Sequence, residues 1–192
     1  MRVLILTVCF LRLNGFVKAQ QLPMRAGWQS VYGNTYENDM GQFTLTVPSV
    51  GAHGWFVTDE LMKENPAILG TLGILDDRDV VISIQRYQVA TAKQEADFLN
   101  SQFPLQFEAY KKVSQESLKI DGRAAIALSF RTVLKSDQPG KNEGETAKMT
   151  VFLIEDRGMV LGFMCLVPEK VAIQFDPIVR AVVTSFHHRN PR

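Results

Sequence analysis

The segment KIDGRAAIALSFRT, Lys119–Thr132, decides the fold, because it sets a turn dipeptide between two strand-like runs. Asp121 and Gly122 tolerate the positive φ angles that a tight hairpin turn requires, so we interpret them as the turn. We interpret Arg123 as the exposed first residue of the return strand. That strand is apolar or small on both faces, which is typical of a sheet covered on both sides.

Other strand patterns surround this hairpin. GQFTLTVP, Gly41–Pro48, alternates apolar and polar residues, as a half-buried strand does. A second hairpin is predicted around Asp156-Arg157-Gly158, and its return strand is a near-continuous apolar run. Further strands are predicted at Trp28–Tyr32, Ala67–Leu75, Val80–Val89 and Val113–Ile120.

Two helices are predicted. Thr91 can cap a helix over about 92–102, before Pro104, and Asp176 with Pro177 resembles the start of a second helix that ends near Phe186. The tail HHRNPR is expected to fray. Together the patterns predict an α+β fold, an α/β/α sandwich with a mainly antiparallel central sheet flanked by helices, in a single domain over residues 20–192 with its core at about 42–186.

The first 19 residues resemble a secretory signal peptide. Arg2 precedes an apolar run, and the small residues at Val17-Lys18-Ala19 fit cleavage after Ala19. The alternatives are a retained amphipathic helix and, through Cys9, a lipoprotein signal. An apolar run of about ten residues is too short to cross a bilayer, which needs about twenty. We therefore expect a secreted or periplasmic protein without a stable membrane span.

Composition excludes several classes of function. Removal of residues 1–19 leaves 18 basic and 20 acidic side chains, so the charge does not favour binding to nucleic acid or to an anionic membrane. Cys165 would then be the single cysteine, which excludes an internal disulfide. Its apolar surroundings indicate a small buried residue without a redox role.

The strand and helix order resembles the PsbP-like family, whose fold is shared with Mog-type Ran-binding proteins and DcrB-type envelope proteins. The resemblance covers about Gln42–Phe186. It lies in GQFTLTVP followed by Gly54-Trp55-Phe56, in VVISIQRY before the first helix, in KIDGRAAIALSF, in FLIEDRGMVLGFMC and in a last helix ending Thr184-Ser185-Phe186. The resemblance implies an accessory, binding or assembly module and not an enzyme. The predicted signal peptide argues against a nuclear partner such as Ran.

The sequence has none of the usual phosphate-binding, hydrolase, zinc or calcium motifs, and we predict no cofactor. His53, Trp55 and Phe56 are the candidate residues for binding a ligand or partner, because a loop with aromatic residues offers contact area. The favoured alternative is that the two aromatic residues cap the sheet. His187 and His188 could bind a metal ion but have no acidic neighbour in sequence, so a solvated tail is preferred.

We therefore expect an exported, non-enzymatic module that binds an unknown protein partner or a small ligand in the cell envelope. One alternative is an envelope hydrolase or metal-dependent enzyme that uses His53 with the carboxylates of Asp76–Asp79. For those carboxylates a simple acidic turn is the preferred interpretation. The other alternative is a structural assembly factor.

Overall fold

The computed structural model describes residues 28–32, 34–48, 54–58, 65–74, 80–133 and 144–189. The helices in these ranges are α1, Ala92–Gln106, and α2, Ala172–Thr184, which a 3-10 turn at Glu169–Val171 precedes. The strands are β1 Trp28–Tyr32, β2 Thr35–Asn38, β3 Phe43–Thr46, β4 Trp55–Thr58, β5 Ile68–Ile74, β6 Val81–Tyr87, β7 Lys111–Ile120, β8 Arg123–Val133, β9 Thr146–Asp156, β10 Met159–Pro168 and β11 His187–His188.

The described strands form a large and a small sheet. The large sheet has seven strands in the order β4-β5-β6-β10-β9-β8-β7, and the small sheet has four in the order β1-β2-β3-β11. Every pairing in both sheets is antiparallel. After β6 the chain crosses one face of the large sheet as α1 and enters at the edge strand β7. It then returns through consecutive hairpin neighbours to β10, so β7 ends the sheet.

The large sheet is covered on both faces. Successive side chains of a strand point to opposite faces, and in β9 Phe152 and Ile154 join one buried cluster while Val151 and Leu153 join the other. The first cluster includes buried residues of α2 and of the small sheet, and the second includes those of α1. This arrangement confirms the predicted α+β fold, an α/β/α sandwich with an antiparallel central sheet.

Both predicted hairpins are confirmed. Asp121 and Gly122 have φ angles of 51° and 73°, and Arg157 and Gly158 have 52° and 76°. Each pair therefore occupies the left-handed region at both central positions of a two-residue turn, which matches the twist of the flanking strands. Because β7 to β10 run as a meander, the two turns lie at the same end of the large sheet.

The predicted helix bounds are wrong at one end of each helix. Helix α1 continues past Pro104 to Gln106, because the aromatic ring of Phe103 is buried on the sheet and holds that last turn in place. Helix α2 begins four residues before Asp176. The carboxylate of Asp176 accepts from Lys148 Nζ at 2.6 Å and does not cap the helix.

The predicted frayed tail is also wrong in part. His187 and His188 form β11 and pair with Thr44 and Phe43 of β3, and only residues 190–192 of the tail lie outside the described residues. The predicted signal peptide, residues 1–19, lies outside them too. No helix in the described ranges has the length and apolar character needed to cross a membrane.

Candidate functional site

The sequence-predicted binding residues lie at and before the edge strand β4. His53 is outside the described residues, and Trp55 and Phe56 belong to the strand and not, as expected, to a loop. Trp55 is half-buried against the core, and its Nε1 donates to the carbonyl of Pro48 at 2.9 Å. Binding by these three residues stays a prediction.

The ring of Phe56 explains a glycine on the neighbouring strand. Phe56 lies opposite Gly73 of β5, and a Cβ atom at Gly73 would come within 2.4 Å of the ring. Phe56 therefore covers bare backbone on the sheet face opposite to Trp55. The other sequence candidate, Asp76–Asp79, lies outside the described residues, so the acidic-turn and enzyme interpretations stay predictions as well.

Residues far apart in sequence form a polar cluster where the two hairpin turns meet the end of the chain. We call it the turn cluster; its members are Asp121, Arg123, Asp156, His187 and His188. Asp121 Oδ1 lies 2.8 Å from Nδ1 of His187, and Asp121 Oδ2 accepts from the backbone N–H of His188 at 3.0 Å. The β7–β8 turn thus holds β11 through one carboxylate.

Arg123 joins the two turns. Its Nη1 donates to the carboxylate and to the carbonyl of Asp121, and its Nε donates to Asp156 Oδ1 at 3.0 Å. Continuing the β8–β9 register by two residues puts Arg123 opposite Asp156, so theirs is a cross-strand pair of opposite charges. The prediction that Arg123 is exposed is wrong, since its side chain is only 27% accessible.

The two histidines of β11 occupy different environments. Adjacent residues of a strand point to opposite sides, and accordingly the side chain of His187 is 69% exposed while that of His188 is 5% exposed. The Nδ1 atom of His188 lies 3.2 Å from Asp156 Oδ1, but neither ring nitrogen of His188 makes a hydrogen bond. The solvated-tail interpretation is therefore wrong for His188.

The pKa of Asp121 is lowered by the surrounding donors. Burial by itself raises the pKa of this carboxyl group. The hydrogen bonds from the His188 backbone and the His187 ring, together with the charges of His187 and Arg123, outweigh burial and bring the pKa below its usual value. The cluster therefore holds Asp121 in its charged form.

Further contacts connect Arg189, the residue after β11, to the rest of the small sheet and its turns. The backbone N–H of Arg189 donates to the carbonyl of Gln42 at 2.8 Å, and its guanidinium pairs with Glu37. Arg157 in the β9–β10 turn donates to the side chain of Gln42 and, at 3.0 Å, to the carbonyl of Arg189. The small sheet, including its strand β11, and these two turns of the large sheet thus meet at one polar junction.

The turn cluster is suited to holding structure together. An imidazole oriented by a carboxylate, as His187 is by Asp121, can act as a base when a nucleophile adjoins it. Two neighbouring hydroxyl groups are used otherwise: Ser185, two residues before His187, donates to the carbonyl of Val182 at 2.6 Å, and Thr44, opposite His187 on β3, donates to the carbonyl of His187 at 3.5 Å. Among the described side chains, no group of three or more His, Cys, Asp or Glu is arranged to hold a metal ion.

Cys165 offers no reactive thiol. Its side chain is buried in β10, and burial, together with the charge of Asp176, raises the pKa of the thiol well above its usual value. A thiol held in its neutral form is a poor nucleophile and a poor metal ligand. The structure thus agrees with the interpretation of Cys165 as a small buried residue.

Sequence reasoning missed the turn cluster, although one signal was present. Asp121 and Asp156 stand at the first and third turns of a four-strand meander, and alternate turns of a meander lie at the same end of the sheet. The two carboxylates could therefore have been placed together. The position of His187 and His188 could not, because 66 residues separate His187 from Asp121 and their contact depends on the path of α2.

No protein-family profile matches the sequence, and no curated protein sequence matches it. Similar solved structures do exist. The solution structure of cyanobacterial PsbP (CyanoP) from Synechocystis sp. PCC 6803 has a TM-score of 0.59 at 16% identity, over 91% of this chain and 98% of that chain. The crystal structure of the Saccharomyces cerevisiae Ran-binding protein Mog1p has a TM-score of 0.53 at 15% identity, over 82% and 96%.

A third similar structure comes from Bacteroides thetaiotaomicron VPI-5482. Its TM-score is 0.53 at 12% identity, and the match covers 82% of this chain but only 49% of that one. Identities this low show a common fold and not a common activity. The described chain has the PsbP/Mog-like fold.

Proposed function

We propose that the chain is an exported, non-enzymatic binding or accessory module of the cell envelope that engages a protein partner or a small ligand. The observation that carries the proposal is the fold, which extends across 82% of the chain in its likeness to a protein that binds Ran. Fold alone does not fix function, so Ran itself is not carried over. What supports the proposal is the use of this sandwich as a surface for another protein.

The described histidines have a structural role. His187 and His188 contact carboxylates that belong to hairpin turns, and these contacts join the two sheets. The enzyme alternative rests on His53 and Asp76–Asp79. The assembly-factor alternative would be marked by a contiguous exposed apolar patch and no pocket.

Export is supported by the sequence pattern of residues 1–19. If the signal is cleaved after Ala19, N-terminal sequencing of the protein isolated from the envelope begins at Gln20. A cytosolic chain that begins at Met1 would contradict the export proposal and would reopen intracellular partners.

Binding is tested by affinity capture of the tagged chain from its native envelope, followed by mass spectrometry. The matched control is Ile84→Asp, which places a charge at a fully buried position and unfolds the chain. We expect one protein to be recovered with the wild type and not with the control. Proteins that recognise unfolded chains should be recovered with the control as well, so they can be identified and set aside. Recovery of no such protein, together with turnover of a hydrolase substrate that His53→Ala abolishes, would overturn the proposal.

A further inference from the structure

Strand β7 presents a long open edge of the large sheet. It is the last strand in the sheet order, and eight of its ten residues are exposed, on both faces of the strand. Its N-terminal part contains a bulge between Lys112 and Ser114, after which the pairing with β8 is regular to Ile120. The segment Ser114–Ile120 is therefore a straight edge to which another strand can be added.

The backbone groups that point outwards follow from the turn. Ile120 and Arg123 flank a two-residue turn, so they form a hydrogen-bonded pair, and every second residue of β7 before Ile120 faces β8 in the same way. The N–H and C=O groups of Gln115, Ser117 and Lys119 consequently point away from β8. Within the described ranges no strand pairs with them.

Contacts from both helices hold this edge in place. Asn100 of α1 donates to the side chain of Gln115 at 3.1 Å, on one face of the strand. Arg180 of α2 pairs with Glu116 at 2.7 Å, on the other face. An edge fixed from both sides loses little conformational entropy when a strand is added to it.

The side chains along the edge determine whether an acidic or a basic strand is favoured as its partner. Lys112 and Lys119 lie on the face that α1 covers. Lys112 pairs with Phe130, which belongs to the α1 cluster, and Lys119 pairs with Ala124, which points to the same side of β8 as Phe130. The single acidic residue of β7, Glu116, is on the other face and is neutralised by Arg180. The α1 face thus carries Lys119 and, before the bulge, Lys112, while the α2 face carries Lys111 and Leu118, the second of which packs against the core.

We propose that the β7 edge binds an extended acidic segment of a partner protein, which adds to the large sheet as an antiparallel strand. Acidic side chains on one face of that segment would lie beside Lys112 and Lys119, and apolar side chains on its other face would lie beside Leu118. This inference rests on the proposed function and names the surface and the chemistry of the partner. Lysines repel a second β7, so an acidic strand is favoured over another copy of the chain.

The test uses a nine-residue peptide of alternating Glu and Val, with the Lys and Val peptide as its control. We expect titration of the folded chain to protect the amides of Gln115, Ser117 and Lys119 from hydrogen exchange, and the Lys peptide to bind at least about tenfold more weakly. Ser117→Pro removes one outward N–H without touching the β8 pairing, and we expect it to weaken the Glu peptide at least about tenfold. Ser117→Ala, which keeps the N–H, should bind as the wild type does.

A Glu and Val peptide whose backbone amide opposite Ser117 is N-methylated should lose binding too. This second test does not depend on how well Ser117→Pro folds. If neither the Glu peptide nor the Lys peptide binds, the lysines only protect the edge from pairing with other strands, and the inference is overturned. Protection of the three amides in the free chain, or dimerisation abolished by Ser117→Pro, would overturn it as well. A captured envelope protein held equally by Ser117→Pro would overturn the edge assignment alone and leave the proposed binding function standing.

Discussion

Asp121 has a local and a long-range role. Its φ of 51° forms the turn between β7 and β8, and its carboxylate holds β11 and Arg123. Asparagine tolerates the same backbone conformation, so Asp121→Asn separates the two roles. We expect it to lower the free energy of unfolding by about 1–3 kcal/mol, because charged hydrogen bonds at a mostly buried site are lost. Urea unfolding measures this, with Asp97→Asn as the control.

The control replaces a carboxylate of similar chemistry in a different environment. Asp97 pairs with Lys93 one turn along α1, and its side chain is 59% exposed. Such surface pairs contribute less than about 0.5 kcal/mol. Equal losses for Asp121→Asn and Asp97→Asn would show that the turn cluster contributes no more than an ordinary surface ion pair.

The lowered pKa of Asp121 predicts how this difference depends on pH. The folded chain releases the proton of Asp121 more readily than the unfolded chain, in which an aspartate has a pKa of about 3.9. The stabilisation is therefore complete above about pH 5 and is lost as the pH falls through the lower pKa of the folded state. From pH 5 downwards, the gap in unfolding free energy between wild type and Asp121→Asn should narrow. A gap that widens towards pH 3 would contradict the assignment.

Gly162 of β10 shows how a side chain on one strand restricts its neighbour. A Cβ atom at this position would lie 2.3 Å from the ring of Tyr87, which is itself buried. We expect Gly162→Ala to lower the unfolding free energy by about 1–3 kcal/mol, because the ring has no room to move. The thermal midpoint of unfolding should fall accordingly. Gly122→Ala, where the added atom has nothing within 4 Å, isolates the backbone cost of a positive φ and should cost about 1 kcal/mol.

At the scale of the element, Pro104 in α1 is the clearest departure from sequence rules. Proline inside a helix removes a hydrogen bond to the carbonyl four residues earlier, here that of Asn100, and crowds it. Pro104→Ala should therefore raise the free energy of unfolding by about 1–3 kcal/mol. Leu105→Ala, at a position that is 80% exposed, should change it by less than about 0.5 kcal/mol. Loss of stability in Pro104→Ala would show that the proline is needed for the end of α1.

The elements differ in how well the sequence predicts them. Alternating apolar residues and Asp-Gly or Arg-Gly turns are local signals, and they are sufficient to predict both hairpins. The N-cap of α1 also has a local signal, Thr91, whose Oγ1 accepts from Gln94 N. The last turn of α1 and the start of α2 depend on burial against the sheet, which no local signal records. Strand β11 has only two residues and exists because β3 and Asp121 hold it.

At the scale of the whole molecule, the sandwich and its coverage on both faces follow from strands that are apolar on both sides. The turn cluster does not follow, because its bonds join residues from the middle and the end of the chain. The function is less constrained still. Many unrelated partners are compatible with one fold, so recognition must come from surfaces such as the basic edge of β7.

Whether this chain is a binding module is tested most directly by a calorimetric titration of the purified chain, residues 20–192, with the protein recovered by capture. We predict saturable binding at a fixed stoichiometry that Asp97→Asn leaves unchanged and Ser117→Pro weakens at least about tenfold. Absence of saturable binding to the recovered protein, under conditions where the chain is folded, would contradict the claim.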